Sequence, residues 1–169
     1  MHPIETNRLL LRNFTADDGP ALLKMILLYQ QSPYSQYDHP WPTDHEQIKG
    51  VANWFASGDN YLAVCLKDTG VFIGFVCLNP DKYREEPALN IGYIFDADYY
   101  GHGYATEAGR AALIRAFNDL GVNHVISGTA RANLPSVRLL ERLGLQEEAE
   151  REGCYVITRE DWVKSIPQE

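Results

Sequence analysis

The chain has 169 residues, 45% hydrophobic and 22% charged, which fits one globular domain spanning 1–169 and excludes a disordered or fibrous chain. Its formal net charge of −8 excludes a non-specific nucleic-acid binder, which needs a basic surface, and is compatible with cationic acceptors such as amines. The longest apolar run, residues 21–29 interrupted by Lys24, is too short to cross a bilayer. Met1-His2-Pro3-Ile4-Glu5 lacks the basic and apolar blocks of a signal peptide, so the expectation is a cytoplasmic chain without membrane contact. Cys65, Cys77 and Cys154 form no C-x-x-C pair and the five histidines show no ligand spacing. No metal is expected, and Cys65 and Cys77 read as small apolar residues facing inward from strands.

In chain order, Leu9-Leu10-Leu11 between two arginines reads as a first strand. Thr15-Ala16-Asp17-Asp18 then reads as a helix start with acids in its first turn, and Leu22, Leu23, Ile26 and Leu27 supply the apolar stripe. Residues 33–42 carry three prolines and an unusual share of aromatics, a loop. Thr43-Asp44-His45-Glu46 predicts a capping box with Thr43 as the cap. Ile48, Val51, Ala52 and Phe55 follow at helical spacing, and Gly58 ends the helix. Residues 61–66 and 71–78, joined by Lys67-Asp68-Thr69-Gly70, predict a hairpin. A fourth strand covers 89–95, and a long helix opens after Tyr99-Tyr100 and stops at Gly121. Residues 124–129 predict a strand. Asn133 caps a short helix that Gly144 terminates. Two strands, near 145–148 and 155–158, complete an α/β chain with a mixed sheet and four helices.

The most informative stretch is Tyr100-Gly101-His102-Gly103-Tyr104-Ala105-Thr106, between a strand and a helix. Glycines permit tight turns and close ligand approach. The first amides of a helix lack internal partners and sit at the positive end of its dipole, a ready site for a diphosphate. A charged His102 would add to it. By itself a Gly-x-Gly is equally a helix entry that needs two glycines. A Walker loop requires Gly-Lys-Ser/Thr, which does not occur, and a dinucleotide fingerprint requires a small residue where Thr106 stands, early in the chain.

The run Tyr100-Gly101-His102-Gly103-Tyr104-Ala105 resembles the Gln/Arg-x-x-Gly-x-Gly/Ala diphosphate motif of the GNAT superfamily of N-acetyltransferases. Extended to Ala108, it is similar to the ribosomal-protein N-terminal acetyltransferase branch, the RimJ/RimL-like group. Glu5-Thr6-Asn7-Arg8-Leu9-Leu10-Leu11-Arg12 looks like that branch's opening strand, and Ile91-Gly92-Tyr93 like its fourth. The stretch from Asn133 to Leu145, with Ser136, looks like its Asn-x-x-Ser helix. The resemblance implies a largely antiparallel twisted sheet whose fourth and fifth strands splay apart, and acetyl-CoA as co-substrate. It further implies that the pantetheine arm pairs with amides of Tyr93 and Phe95 and that the diphosphate rests on the amides of 101–106. An amide near Ile94 would face the developing oxyanion, Asn133 would bond the cofactor, and the Ser136 hydroxyl would donate to the leaving thiolate. A primary amine then attacks the thioester directly, in a ternary complex.

The acceptor, on this resemblance, is a protein N-terminus or a small-molecule amine, handled by a monomer or homodimer. Tyr34, Tyr37, His39 and Trp41 either cover the core or shape the acceptor pocket. Many relatives carry glutamate where this chain has Asn90, which cannot take a proton at neutral pH. The base is then a water chain or another acid such as Glu152, although Glu147, Glu148, Glu150 and Glu152 read first as a solvated surface. Tyr155 belongs either to the core or to the acceptor groove. Asn90 also leaves room for a non-catalytic acyl-CoA-binding regulatory module, and a purely structural α/β domain is the remaining reading.

Overall fold

The computed structural model describes residues 2–165. Its strands are β1 (Ile4–Glu5), β2 (Leu9–Asn13), β3 (Tyr61–Leu66), β4 (Phe72–Pro80), β5 (Ala88–Phe95), β6 (His124–Gly128), β7 (Gln146–Glu147) and β8 (Cys154–Thr158). They hydrogen-bond in the order β1-β2-β3-β4-β5-β6-β8-β7. The pairs β1–β2, β2–β3, β3–β4, β6–β8 and β7–β8 are antiparallel, and β5–β6 is parallel. The helices are α1 (Gly19–Gln30), α2 (His45–Ala56), α3 (Tyr104–Ile114), α4 (Leu134–Arg142) and α5 (Arg159–Ser165). The chain forms two compact units, one running to Cys77 and including Tyr93–Ala108, the other comprising Leu78–Gly92 and residues from Gly109 onward.

In the first unit, period-two strands meet period-3.6 helices as the pattern dictates. The hairpin aligns Tyr61 with Cys77 and Val64 with Gly74, and both Cys65 and Cys77 are buried. Leu22, Met25 and Ile26 of α1 and Ile48, Ala52 and Phe55 of α2 join Phe14, Ala63, Phe75 and Ile94 in one apolar cluster. Rings meet edge-on there, Phe14 at 5.0 Å from Phe55, while Tyr61 stacks on Phe55 at 3.8 Å. In the second unit, Val125 and Ile126 of β6 and Tyr155 and Ile157 of β8 are buried, with Leu139, Leu140 and Leu143 from the α4 segment. Gly109 in α3 permits a close approach, since a Cβ there would lie 2.7 Å from a methyl of Leu143.

Several expectations need correction. The sheet gains β1, a two-residue strand too short to show a periodic pattern. The cap of α2 is Asp44, which accepts from Gln47 N at 2.9 Å, rather than Thr43. The Asp44 carboxylate reaches the third helical amide from one residue later. The third helix is α-helical only to Ile114 and closes with a π-helical turn, Arg115–Asp119, before Gly121 at φ 69°. Asn133 stands at the start of α4 but its side chain makes no capping bond. Among the described residues there are five α-helices where four were expected: α5 follows β8 directly, its first turn rich in acids.

The Thr15 turn is held by a partly buried ion pair. Asp18 accepts from Arg12 Nη2 at 2.7 Å and Nη1 at 2.8 Å, and from Thr15 N at 2.7 Å. Burial raises the Asp18 pKa, but the Arg12 fork and the Thr15 amide outweigh it and hold the carboxyl below its ordinary value. Because the folded-state pKa lies below the unfolded one, the stability it confers is present above the ordinary aspartate range and is lost as pH falls through the folded value. Asp18→Asn should cost about 3 kcal/mol at neutral pH. In chemical denaturation at stepped pH, the gap to wild type should close below about pH 4.

Candidate active site

Between β5 and α3 the chain makes a 3₁₀ turn, Ala97–Tyr99, capped by the Asp96 carboxylate, which accepts from Asp98 N. Gly101 and Gly103 follow at φ 81° and 79°, and His102 between them has negative φ, since no non-glycine residue among those described is positive. Alternating handedness of this kind turns successive N–H groups toward one concave side, an anion-binding nest. Gly101 itself is uncrowded: a Cβ placed there would meet nothing within 4 Å. The amides of Tyr104, Ala105 and Thr106 open α3, and the intrahelical ladder begins with Glu107 N on Gly103 O at 3.1 Å.

The nest is braced from the turn between β1 and β2. Glu107, on the first turn of α3, accepts at one carboxylate oxygen from Thr6 Oγ1 (2.6 Å) and Arg8 N (2.8 Å), and at the other from Arg8 Nε (2.7 Å) and Nη2 (2.7 Å). Arg8 Nη1 donates to the His102 carbonyl at 2.9 Å, and its guanidinium lies over the Tyr104 ring at 4.6 Å. His102 stacks on the same ring at 5.7 Å. Burial raises the Glu107 pKa, yet the bonds from Thr6 and Arg8 more than reverse this and keep the carboxylate charged.

On β5, Asp96 N donates to Ile73 O, and Ile94 O faces Gly74 so closely that a Cβ there would sit 2.5 Å away. Even-numbered residues at this end therefore turn their backbone groups toward β4, and Tyr93 and Phe95 turn theirs to the opposite edge. The parallel register with β6 runs through Ala88↔His124, Leu89↔Val125 and Asn90↔Ile126, whereas β5 continues to Phe95. Where the ladder ends, Ser127 Oγ donates to the Ile91 carbonyl at 3.0 Å, a side chain doing what an amide would have done.

The remaining candidates divide between the units. In the second, Asn90 is exposed on β5, Asn133 and Ser136 sit at the start of α4, and Tyr155 is buried on β8, its phenol pKa raised by burial. Glu147 is locked by Arg131 (2.8 Å) and Gly153 N (2.7 Å), and Glu148 by Arg84. These partners pull both carboxyls below their usual range. Glu152 stands 3.5 Å from Arg131. In the first unit, the α1–α2 loop is a linked aromatic cluster. Trp41 Nε1 donates to Asp38 (2.9 Å), its ring meets Phe75 and Phe55 edge-on, and Gln30 donates to its carbonyl. Tyr29 reaches the Tyr34 carbonyl at 3.4 Å, and burial plus the Asp38 charge push its phenol up to about 12. Tyr37 and His39 are exposed. The residues missed in the sequence are Arg8, Glu107 and Ser127. Arg8 and Glu107 lie inside the motifs already singled out, but nothing in either motif says that they pair.

The chain matches the acetyltransferase (GNAT) domain over residues 8–146, a stretch that runs through both units. It is 29% identical over 176 residues to the uncharacterized N-acetyltransferase YnaD of Bacillus subtilis, covering 96% of this chain and 99% of the relative. It is 26% identical to the FsC-acetyl coenzyme A-N(2)-transacetylase of Aspergillus fumigatus, covering 90% and 72%. The fold matches the crystal structure of a GNAT-family acetyltransferase from Bacillus anthracis with a TM-score of 0.82, at 24% identity and 94% and 99% coverage. The glycine loop and the interrupted β5–β6 ladder thus lie within a GNAT domain. The chain is a member of the GNAT acetyltransferase family, whose acyl donor is acetyl-CoA, and it is an acetyltransferase. Among the described residues, no group of three or more His, Cys, Asp or Glu side chains could hold a metal, and no helix is long and apolar enough to cross a membrane.

Ser127→Ala should leave the buried Ile91 carbonyl without its donor. An expected loss of about 1 kcal/mol in urea denaturation checks this.

Proposed function

We propose that this enzyme moves the acetyl group of acetyl-CoA to a primary amine in one step, with both substrates bound, and that the favoured acceptor is the α-amine of a peptide or protein chain. The open nest at Gly101, His102 and Gly103 is the observation that carries the donor half of this reading, since its amides suit a diphosphate. The amides of Tyr104, Ala105 and Thr106 extend it. The pantetheine arm adds along the edge of β5 that Tyr93 and Phe95 face. Ile94 turns its own backbone to β4, so the oxyanion donor is assigned to a neighbouring amide, that of Phe95. The Asn133 amide, not engaged in capping, bonds the donor, and Ser136 protonates the leaving thiolate. Tyr34, Tyr37, Trp41 and Asn90 shape the acceptor side.

The acceptor class follows from proton chemistry. Only a neutral amine attacks a thioester, and a general base works best with a pKa near the working pH. Asn90 is not a base, and Glu147 and Glu148 are held below the ordinary range by arginines. In this reading the amine sheds its proton to solvent. At pH 7 about one in seven α-amines is neutral, against about one in 2,500 lysine-type amines.

A turnover assay with acetyl-CoA against a short peptide with a free α-amine, an amino acid, an aminoglycoside and a diaminoalkane tests this. The peptide should give the highest kcat/KM at pH 7, and the rate should rise with pH along the titration of the acceptor. A profile that follows an enzyme carboxylate, or a preference for the diaminoalkane, would overturn the acceptor reading. Ser136→Ala should lower kcat by about ten- to a hundred-fold while acetyl-CoA binding persists. Unchanged turnover removes Ser136 from the mechanism.

A further inference from the structure

We propose that Arg8 is a positioning residue for donor binding: through its fork to Glu107 and its bond to the His102 carbonyl, it locks the His102–Gly103 peptide with the Gly103 N–H turned into the nest. The inference rests on the donor reading above and deepens it. A trans peptide is planar, so its C=O and N–H point in opposite directions. Among the described residues no peptide is cis. Capturing the His102 oxygen at 2.9 Å therefore turns the Gly103 N–H away from Arg8.

That peptide needs a lock. It sits between a residue of negative φ and a glycine at φ 79°, and a glycine admits both hands of φ at little cost. Nothing in the loop's own sequence selects one orientation of this peptide. Arg8 selects it from outside. Its Nε and Nη2 are committed to one Glu107 oxygen, and its Nη2 lies 3.6 Å from where a Gly103 Cβ would be. The other Glu107 oxygen takes Thr6 Oγ1 and Arg8 N. The guanidinium is thus fixed at both ends of its planar fork, and a lysine, with one ammonium, cannot hold Glu107 and the His102 carbonyl in the same geometry. Because Glu107 cancels its charge, Arg8 acts through backbone orientation and not as a free cation.

The test is binding of two probes by titration: coenzyme A, which carries the diphosphate, and S-acetylpantetheine, which does not. Arg8→Gln should raise the dissociation constant of coenzyme A about ten-fold or more, with that of S-acetylpantetheine, followed by NMR, unchanged within about two-fold of wild type. Arg8→Lys should stay close to Arg8→Gln. Coenzyme A binding equal to wild type overturns the inference, and so does an equal loss for both probes. Full rescue by lysine overturns it in favour of charge alone. Should Arg8→Gln not fold, Thr6→Val, which removes one donor to Glu107, should shift the same ratio in the same direction, and an unshifted ratio overturns the inference. Absence of coenzyme A binding by the wild type overturns the donor reading along with it.

Discussion

The end of the β5–β6 ladder at Asn90 and Ile126 is the constraint on which the rest of the chemistry depends. A parallel pair that stops pairing while one strand runs on leaves backbone groups turned to an edge, and buried backbone groups must find partners. The structure meets this differently along the edge. At Ile91 the hydroxyl of Ser127 supplies the donor. At Phe95 strand alternation turns the backbone away from β4, toward the edge that the proposed donor arm would use. Gly74 completes the arrangement by admitting the Ile94 carbonyl, which fixes which residues face which edge.

The edge alone would bind any extended chain. The nest before α3, which the proposed donor reading assigns to an anion, has a geometry set by residues remote in sequence. Thr6 and Arg8 precede Glu107 by about a hundred residues in the chain, so the loop has the shape it has only once the β1–β2 turn and α3 are docked. The folding of the first unit and the formation of the nest are in this sense one event. Glu107 serves both, as a carboxylate at a helix N-terminus, where the dipole favours it, and as the anchor of the arginine.

Much of this was legible in the sequence because it is local. The hairpin, the two glycines, the stripes of α1 and α2 and the helix stops at Gly121 and Gly144 are short-range patterns, and φ of 69° and 89° at those stops is what glycine provides. What was illegible is of two kinds. Choices within one turn, such as Asp44 rather than Thr43 as cap, differ by less than propensity resolves. The others are long-range: the Arg8–Glu107 pair, the Ser127 bridge and the arginines on Glu147 and Glu148. Each of those glutamates reads as solvated surface in isolation, and only the fold shows that Arg84 and Arg131 reach them. The α5 helix was missed because seven residues carry too few apolar positions to show a period.

A chain with a net charge of −8 must still hold a polyanionic donor, and the way it does so constrains its recognition. A net negative charge offers a polyanion no long-range attraction, and salt damps such fields beyond about 8 Å. Arg8, the arginine bonded to the nest, is neutralised by Glu107. On the donor reading proposed above, the loop would act at short range, through oriented N–H dipoles and the start of α3. Such a site discriminates by fit over a few ångströms, and its strength depends on each peptide plane being held in place.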